Sequence, residues 1–226
     1  MAHASIFLTS AQIRAALIPQ TVIVIGRTTL SRSINTFLKL APTQIVIDPR
    51  MATVDSDRHA DKRFMQIPEL NTKTASPEWS EQWEKYADRA AKSIDALTGF
   101  SEAVIAREVA ANLPEGSTLF VSSSRPIRDL EGFAAPRSGV TTHANRGLAG
   151  IDGNISTALG IALASKQTFA VLGDLSFLHD LTGLIHREEI NCAFIVINND
   201  GGGIFSTLPQ RGVDGFESVF GTPHGL

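Results

Sequence analysis

Five short apolar runs, each ending in or followed at once by Gly, Asp, Asn or Ser, constrain this chain more than any other feature. They fall at residues 21–26 (TVIVIG), 44–48 (QIVID), 118–121 (TLFV), 168–173 (TFAVLG) and 192–198 (CAFIVIN). None alternates apolar with polar, so each reads as a strand buried on both faces, the pattern of a parallel sheet. Parallel neighbours need a long crossover, usually a helix. The segments between the runs supply helical spacing: Ile34, Phe37, Leu38 and Leu40 within residues 31–40; residues 101–113, stopped by Pro114; a small-residue run at 154–164; and residues 175–190. Strand, helix and strand in repeated order give an α/β fold of two doubly wound, Rossmann-like parallel sheets.

The 226 residues, 24.2 kDa, suffice for two such units and not for three. Residues 50–74 are polar and carry no sustained period. Ser76-Pro77-Glu78 then reads as a helix start, with Ser as the cap and Pro at the first helical position. Trp79, Trp83, Tyr86, Ala90, Ile94 and Leu97 continue that helix to Gly99. The expected organisation is a first unit at 1–75, a connecting helix at 76–98 and a second unit at 99–226.

Composition removes several classes of function. With 20 Lys+Arg against 23 Asp+Glu there is no basic block of the kind phosphate contacts along a nucleic acid require. The longest near-apolar stretch, residues 158–164, is far shorter than the roughly 20 residues of a membrane helix. Residues 1–6 lack the basic start and apolar run of a signal peptide. One cysteine, Cys192, cannot close a disulfide within the chain, and a cytoplasmic, reducing setting is expected.

The densest chemistry lies at two strand ends. Gly173-Asp174-Leu175-Ser176 closes one strand, and Asn198-Asn199-Asp200-Gly201-Gly202-Gly203 closes the next. A right-handed crossover puts both carboxyl ends on one sheet edge, where open α/β sheets bind ligands. A carboxylate, an amide oxygen and a backbone carbonyl from the glycine run form a hard-oxygen set suited to Mg²⁺ bearing a diphosphate. The helix at 175–190 would add N–H groups facing the anion. Taken singly, Asp174 would read as a helix cap and Asn-Asp-Gly as a turn.

These residues resemble the signature of the thiamin-diphosphate-dependent decarboxylase and acetolactate synthase superfamily, with Leu175 in place of the commoner third glycine and 22 residues between Leu175 and Asn198. Within it they are similar to the 2-succinyl-5-enolpyruvyl-6-hydroxy-3-cyclohexene-1-carboxylate synthase family of menaquinone biosynthesis. The residues that carry this likeness are Ser122-Ser123-Ser124-Arg125-Pro126-Ile127-Arg128-Asp129, residues 144–153 (ANRGLAGIDG), residues 198–206 (NNDGGGIFS) and residues 220–226 (FGTPHGL). The resemblance implies a central domain followed by a diphosphate- and Mg²⁺-binding domain. It implies Asp174, Asn199 and the Gly201 carbonyl as ligands of Mg²⁺ (or Mn²⁺), and Ser124, Gly173, Leu175 and Ser176 around the thiamin diphosphate. Ile151 would hold that cofactor bent.

The implied reaction decarboxylates 2-oxoglutarate and adds the resulting carbanion to isochorismate, a carboligase-type transfer. Both substrates carry carboxylates, which planar guanidinium groups suit. Arg128, Arg146 and, in the first unit, Arg32 align with the family's basic positions. Ile204, Phe205 and Leu208 would form an apolar wall; without the resemblance they read as core. The family's activating glutamate belongs to another domain, and no glutamate here matches its motif. The expectation is therefore a piece truncated at both ends, inactive alone, from an enzyme that is a homodimer or homotetramer when whole.

Alternatives are acetolactate synthase or a simple decarboxylase, a non-catalytic nucleotide-binding module, and an assembly fragment with a vestigial site. Elsewhere the readings are structural. Residues 26–31 form a polar turn with Ser31 as cap, lacking the spacing of a phosphate loop. Asp57, His59 and Asp61 read as a solvated loop, His143 stands unsupported, and Cys192 packs.

Overall fold

The computed structural model of the chain describes residues 1–28, 30–50, 59–69, 76–185 and 190–226. The chain divides into two compact α/β units, Met1–Leu97 and Thr98–Leu226, each with its own parallel sheet.

The first unit opens with two short helices, α1 (Ala4–Phe7) and α2 (Ala11–Leu17). Strand β1 (Thr21–Ile25), helix α3 (Arg32–Leu38) and strand β2 (Thr43–Ile47) then form the expected βαβ unit, with Ile23 opposite Ile45 and Ile25 opposite Ile47. The turn between β1 and α3 is polar as read: Gly26 has φ 81° and the Ser31 hydroxyl accepts the Ile34 N–H at 3.3 Å. A third strand, β3 (Lys62–Phe64), pairs parallel to β2 within the stretch read as periodless. Asp61 is committed to that pairing, its carboxylate accepting the Gln44 N–H at 2.7 Å. Of the other two residues weighed beside it, His59 is exposed, and Asp57 lies outside the described residues.

Helix α4 (Pro77–Asp95) begins at the Ser76 cap, with Pro77 at the first turn. It packs in the first unit and does not serve as a free connector. Trp83 meets Phe7 and Phe37 edge-on at 5.6 and 5.5 Å between ring centroids, and Tyr86 stacks on Phe7 at 6.1 Å. The Trp79 indole donates to the Leu17 carbonyl at 3.1 Å. Leu8, Leu17, Phe37, Ala87 and Ala90 complete this core, so the boundary falls after Leu97 and not near Ser76.

The second unit runs α5 (Glu102–Asn112), β4 (Thr118–Val121), α6 (Arg125–Phe133), β5 (Thr141–His143), α7 (Asn154–Ala162), β6 (Thr168–Gly173), α8 (Asp174–His179), a 3₁₀ turn at Leu181–Ile185, and β7 (Cys192–Ile197). Its all-parallel sheet has the order β5-β4-β6-β7. Leu119, Val121, Val171 and Ile197 pack on one face with Ile105, Val109, Ile127 and Leu130 of α5 and α6. Phe120, Ala170 and Leu172 pack on the other with Ile155, Ala158 and Phe177. Opposite faces thus bury alternate residues of one strand, and the unit is doubly wound. Cys192 is half-buried, and burial raises its thiol pKa.

The helix expected at 175–190 is broken after six residues. Asp180 turns back instead and caps α7, accepting the Ser156 N–H at 2.8 Å and its hydroxyl at 3.2 Å. Glu188 and Glu189 lie outside the described residues.

Candidate functional site

From β4 the chain crosses to β5 on one side and then to β6 on the other, so strand order reverses between β4 and β6. At such a switch point the loops leaving the two carboxyl ends diverge and open a crevice. A cleft of about 420 Å³ lies there. It is lined by the loop after β4 (Ser123, Ser124), the start of α6 (Arg125, Pro126, Arg128), the start of α8 and the glycine run after β7.

Twelve of the fourteen residues singled out from sequence line this cleft: Ser124, Ile151, Gly173, Leu175 and Ser176; Asp174, Asn199 and Gly201; Arg128, Arg146, Ile204 and Phe205. Leu208, the residue that follows the 3₁₀ turn Gly203–Thr207, is not among its lining residues. Arg32 is the first residue of α3, in the other unit.

Asp174 is 5% exposed and its oxygens are committed in part. Oδ1 accepts the Leu175 N–H at 2.8 Å and Oδ2 accepts the Gly201 N–H at 2.7 Å. Nε2 of His224 lies 3.1 Å from the same Oδ2. The Leu226 N–H donates to His224 Nδ1 at 3.1 Å, so Nδ1 is the acceptor and the hydrogen-bond network assigns the proton to Nε2. Three N–H groups face the carboxylate, one on Oδ1 and two on Oδ2, and its four lone-pair positions leave room on Oδ1 for a cation.

The glycines here have steric reasons. Gly202 donates its N–H to the Gly221 carbonyl at 2.6 Å, and a Cβ on Gly202 would collide with the Phe220 carbonyl. A Cβ on Gly201, at φ 122°, would likewise overlap the carbonyls of Gly221 and Thr222. Residues 220–226 thus pass directly over the glycine run. Asp200, at φ 60°, clasps them by accepting the Gly225 N–H at 2.7 Å and the His224 N–H at 3.0 Å, and these donors lower its pKa. By contrast, a Cβ at Gly173 would meet nothing within 4 Å, which leaves the cleft floor bare where an anion could rest on backbone.

On the β4 side Ser124 is strained, with φ 74° in a non-glycine residue. Such strain persists where the surroundings over-determine it, commonly at binding sites. It turns the Ser124 carbonyl toward Arg128, whose guanidinium donates to it at 2.6 Å. The Arg146 guanidinium donates to Ser123 Oγ at 3.2 Å. Both arginines remain exposed. Across the cleft, the buried Asn154 side chain donates to the Ile151 carbonyl at 2.8 Å and to the Gly150 carbonyl at 3.3 Å, fixing the loop that presents Ile151.

Sequence reasoning gave no role to Glu102, Arg125, Asp129, Asp200 or His224. Arg125 Nη2 pairs with Glu102 at 3.0 Å and with Asp129 at 2.9 Å. Asp129 is 2% exposed, and burial raises its carboxyl pKa to about 6 despite Arg125; Glu102 adds to the rise and Arg128 opposes it. Among the described residues its Oδ2 has no hydrogen-bond partner. The available signals were slight: Glu102 follows a Ser cap, and His224 sits in the quoted 220–226 motif.

Among the described residues no three His, Cys, Asp or Glu side chains cluster as a metal site. The oxygen set at Asp174 is of another kind, a single carboxylate beside an amide and a backbone carbonyl. The open cradle at Gly173 and the spare acceptor on Asp174 fit a cation carrying a diphosphate. Nor, among the described residues, is any helix long and apolar enough to cross a membrane.

No family model matches the chain. Three curated relatives, each named 2-succinyl-5-enolpyruvyl-6-hydroxy-3-cyclohexene-1-carboxylate synthase, do. The chain is 42% identical over 94% of its length to the protein of Thermobifida fusca, 39% over 96% to that of Lysinibacillus sphaericus and 36% over 92% to that of Bacillus cytotoxicus. It spans 40%, 41% and 38% of those proteins, respectively. Over nearly its whole length the chain is similar to 2-succinyl-5-enolpyruvyl-6-hydroxy-3-cyclohexene-1-carboxylate synthases, and it spans about 40% of the length of these relatives.

Proposed function

We propose that the second unit holds the Mg²⁺–diphosphate end of thiamin diphosphate, and that the chain is part of a menaquinone-pathway synthase that joins decarboxylated 2-oxoglutarate to isochorismate. The observation that carries this reading is the convergence of Asp174, Asn199, Gly201, Ser124, Arg128 and Arg146 on one cleft at the switch point of the sheet. When bound, thiamin diphosphate supplies the electron sink that accepts negative charge as a 2-oxo acid loses CO₂.

The chain's own residues bind and orient. Asp174, Asn199 and the Gly201 carbonyl hold the cation, and the bare backbone at Gly173 with Leu175 and Ser176 receives the diphosphate. Ile151, on a loop pinned by Asn154, offers an apolar support for the body of the cofactor. Hydrogen bonds to the Ser123–Ser124 turn tether Arg128 and Arg146, which pre-organises them for carboxylate groups. Ile204 and Phe205 provide apolar wall and exclude water. In this reading residues 1–97 are the central domain, and the activating glutamate comes from a part of the synthase that this chain does not include.

Calorimetric titration with thiamin diphosphate tests the reading. The chain binds it only with Mg²⁺, Asp174→Ala does not bind it, and the chain given both substrates forms no product. Adenine-nucleotide binding indifferent to Asp174→Ala would instead support a nucleotide-binding module. Steady product formation by the chain alone would overturn the division of labour.

A further inference from the structure

An asparagine that serves a cation must present its oxygen and not its nitrogen, and the two ends of a carboxamide are nearly the same shape. A neighbour that can only accept hydrogen bonds resolves the choice. Asn199 has such a neighbour: its Nδ2 donates to Glu102 Oε1 at 2.8 Å, across 97 residues of chain. A carboxylate has no proton to give, so the end of Asn199 facing Glu102 is the NH₂. The oxygen is left as the other end, and among the described residues nothing donates to it.

Glu102 is itself held. It is the first residue of α5, behind the Ser101 cap, whose hydroxyl accepts the Val104 N–H at 3.4 Å. Its second oxygen accepts from Arg125 at 3.0 Å, and Arg125 is anchored in turn on buried Asp129 at 2.9 Å. Gly203 sits against the Asn199 carboxamide so closely that a Cβ there would overlap it, which limits rotation from the other side.

We propose that Glu102 is a positioning residue that sets the orientation of the Asn199 carboxamide, keeping its oxygen available to the cation. This rests on the Mg²⁺–diphosphate reading of the cleft. Outer partners of this kind typically change metal affinity 10–100-fold.

The test titrates Mg²⁺ at fixed thiamin diphosphate on the full chain by calorimetry. Glu102→Ala weakens Mg²⁺ about tenfold, whereas Glu102→Gln, which keeps an acceptor for Asn199, stays near wild type. In Glu102→Ala/Asn199→Asp the affinity returns, because a carboxylate presents oxygen whichever way it turns; Asn199→Asp alone, facing Glu102, is weakened. A structural role alone predicts no such rescue. A second readout needs no variant and no ligand: the Asn199 side-chain amide protons, followed by NMR in the metal-free chain, exchange slowly. Fast exchange of those protons, or wild-type Mg²⁺ affinity in Glu102→Ala while Asp174→Ala is inactive in binding, overturns the proposal and leaves the cleft's function standing. A wild-type chain that takes up no Mg²⁺ overturns both.

Discussion

Asp48 and Asp174 occupy equivalent places in two similar sheets, yet they meet different fates. Each follows a buried parallel strand at its carboxyl end, β2 in one unit and β6 in the other. Asp48 is fully buried and engaged by Arg50, two residues on, through both the guanidinium and the backbone N–H, and that pairing lowers its pKa to about 2. Asp174 is nearly as buried, but its protein partners are backbone N–H groups and a histidine brought from the far ends of loops. A carboxylate satisfied by a neighbouring guanidinium completes a turn. One held by backbone N–H groups and an imidazole, beside an open cleft, keeps acceptor capacity for a ligand.

The comparison breaks most directly on paired substitutions. Asp174→Ala abolishes Mg²⁺-dependent diphosphate binding, and Asp48→Ala leaves the affinity unchanged; calorimetry on both variants reads the difference. Equal loss in the two would erase the distinction.

Asp129 adds a third case, a carboxylate buried more completely than one arginine compensates. Its folded pKa near 6 lies above the ordinary aspartate value of 3.8, so the folded state binds the proton more tightly. Stability from this group is full below about pH 4 and is lost as pH rises through 6, a cost of roughly 3 kcal/mol at about 1.4 kcal/mol per unit. Asp129→Asn is therefore more stable than wild type at pH 8 by up to that amount and equal to it near pH 4, as urea unfolding across this range checks. Asp48 has the opposite sign. Its depressed pKa stabilises above about pH 4, and that contribution fades as pH falls toward 2, so Asp48→Asn narrows the gap to wild type on acidification.

Smaller effects sharpen the same contrast. Gly202→Ala forces residues 220–222 off the glycine run and costs about 1–3 kcal/mol, as overpacking does. It also weakens diphosphate binding, whereas Gly26→Ala, at φ 81° but with open space around it, costs stability alone. Ser101→Ala removes the cap of α5 and costs about 1 kcal/mol by thermal unfolding, close to Ser31→Ala on α3.

What could be read from sequence follows the range of the forces involved. The buried strands and the caps at Ser31 and Ser76 were legible because apolar runs and N-cap hydroxyls act within a few residues. The amphipathic stripe of α4 announced an apolar face but not what it covers, so only the contacts with Phe7 and Phe37 show its unit. Strand β3 is a short polar edge, and Lys-Arg-Phe carries no period to detect. The break after His179 depends on Asp180 reaching Ser156, a choice made by tertiary structure. In the cleft, strand-end logic brought Asp174 and Asn199 together from sequence. Glu102 and His224 stayed silent because their partners lie 97 and 50 residues away.

The central claim is that the switch-point cleft holds a cation on Asp174, Asn199 and Gly201. Crystals of the chain grown with thiamin diphosphate and Mn²⁺, measured at the manganese edge, test it directly. The account predicts one anomalous peak within coordination distance of the Asp174 carboxylate, Asn199 Oδ1 and the Gly201 carbonyl. A peak elsewhere, or diphosphate bound in the cleft with no metal on these three oxygens, would contradict it.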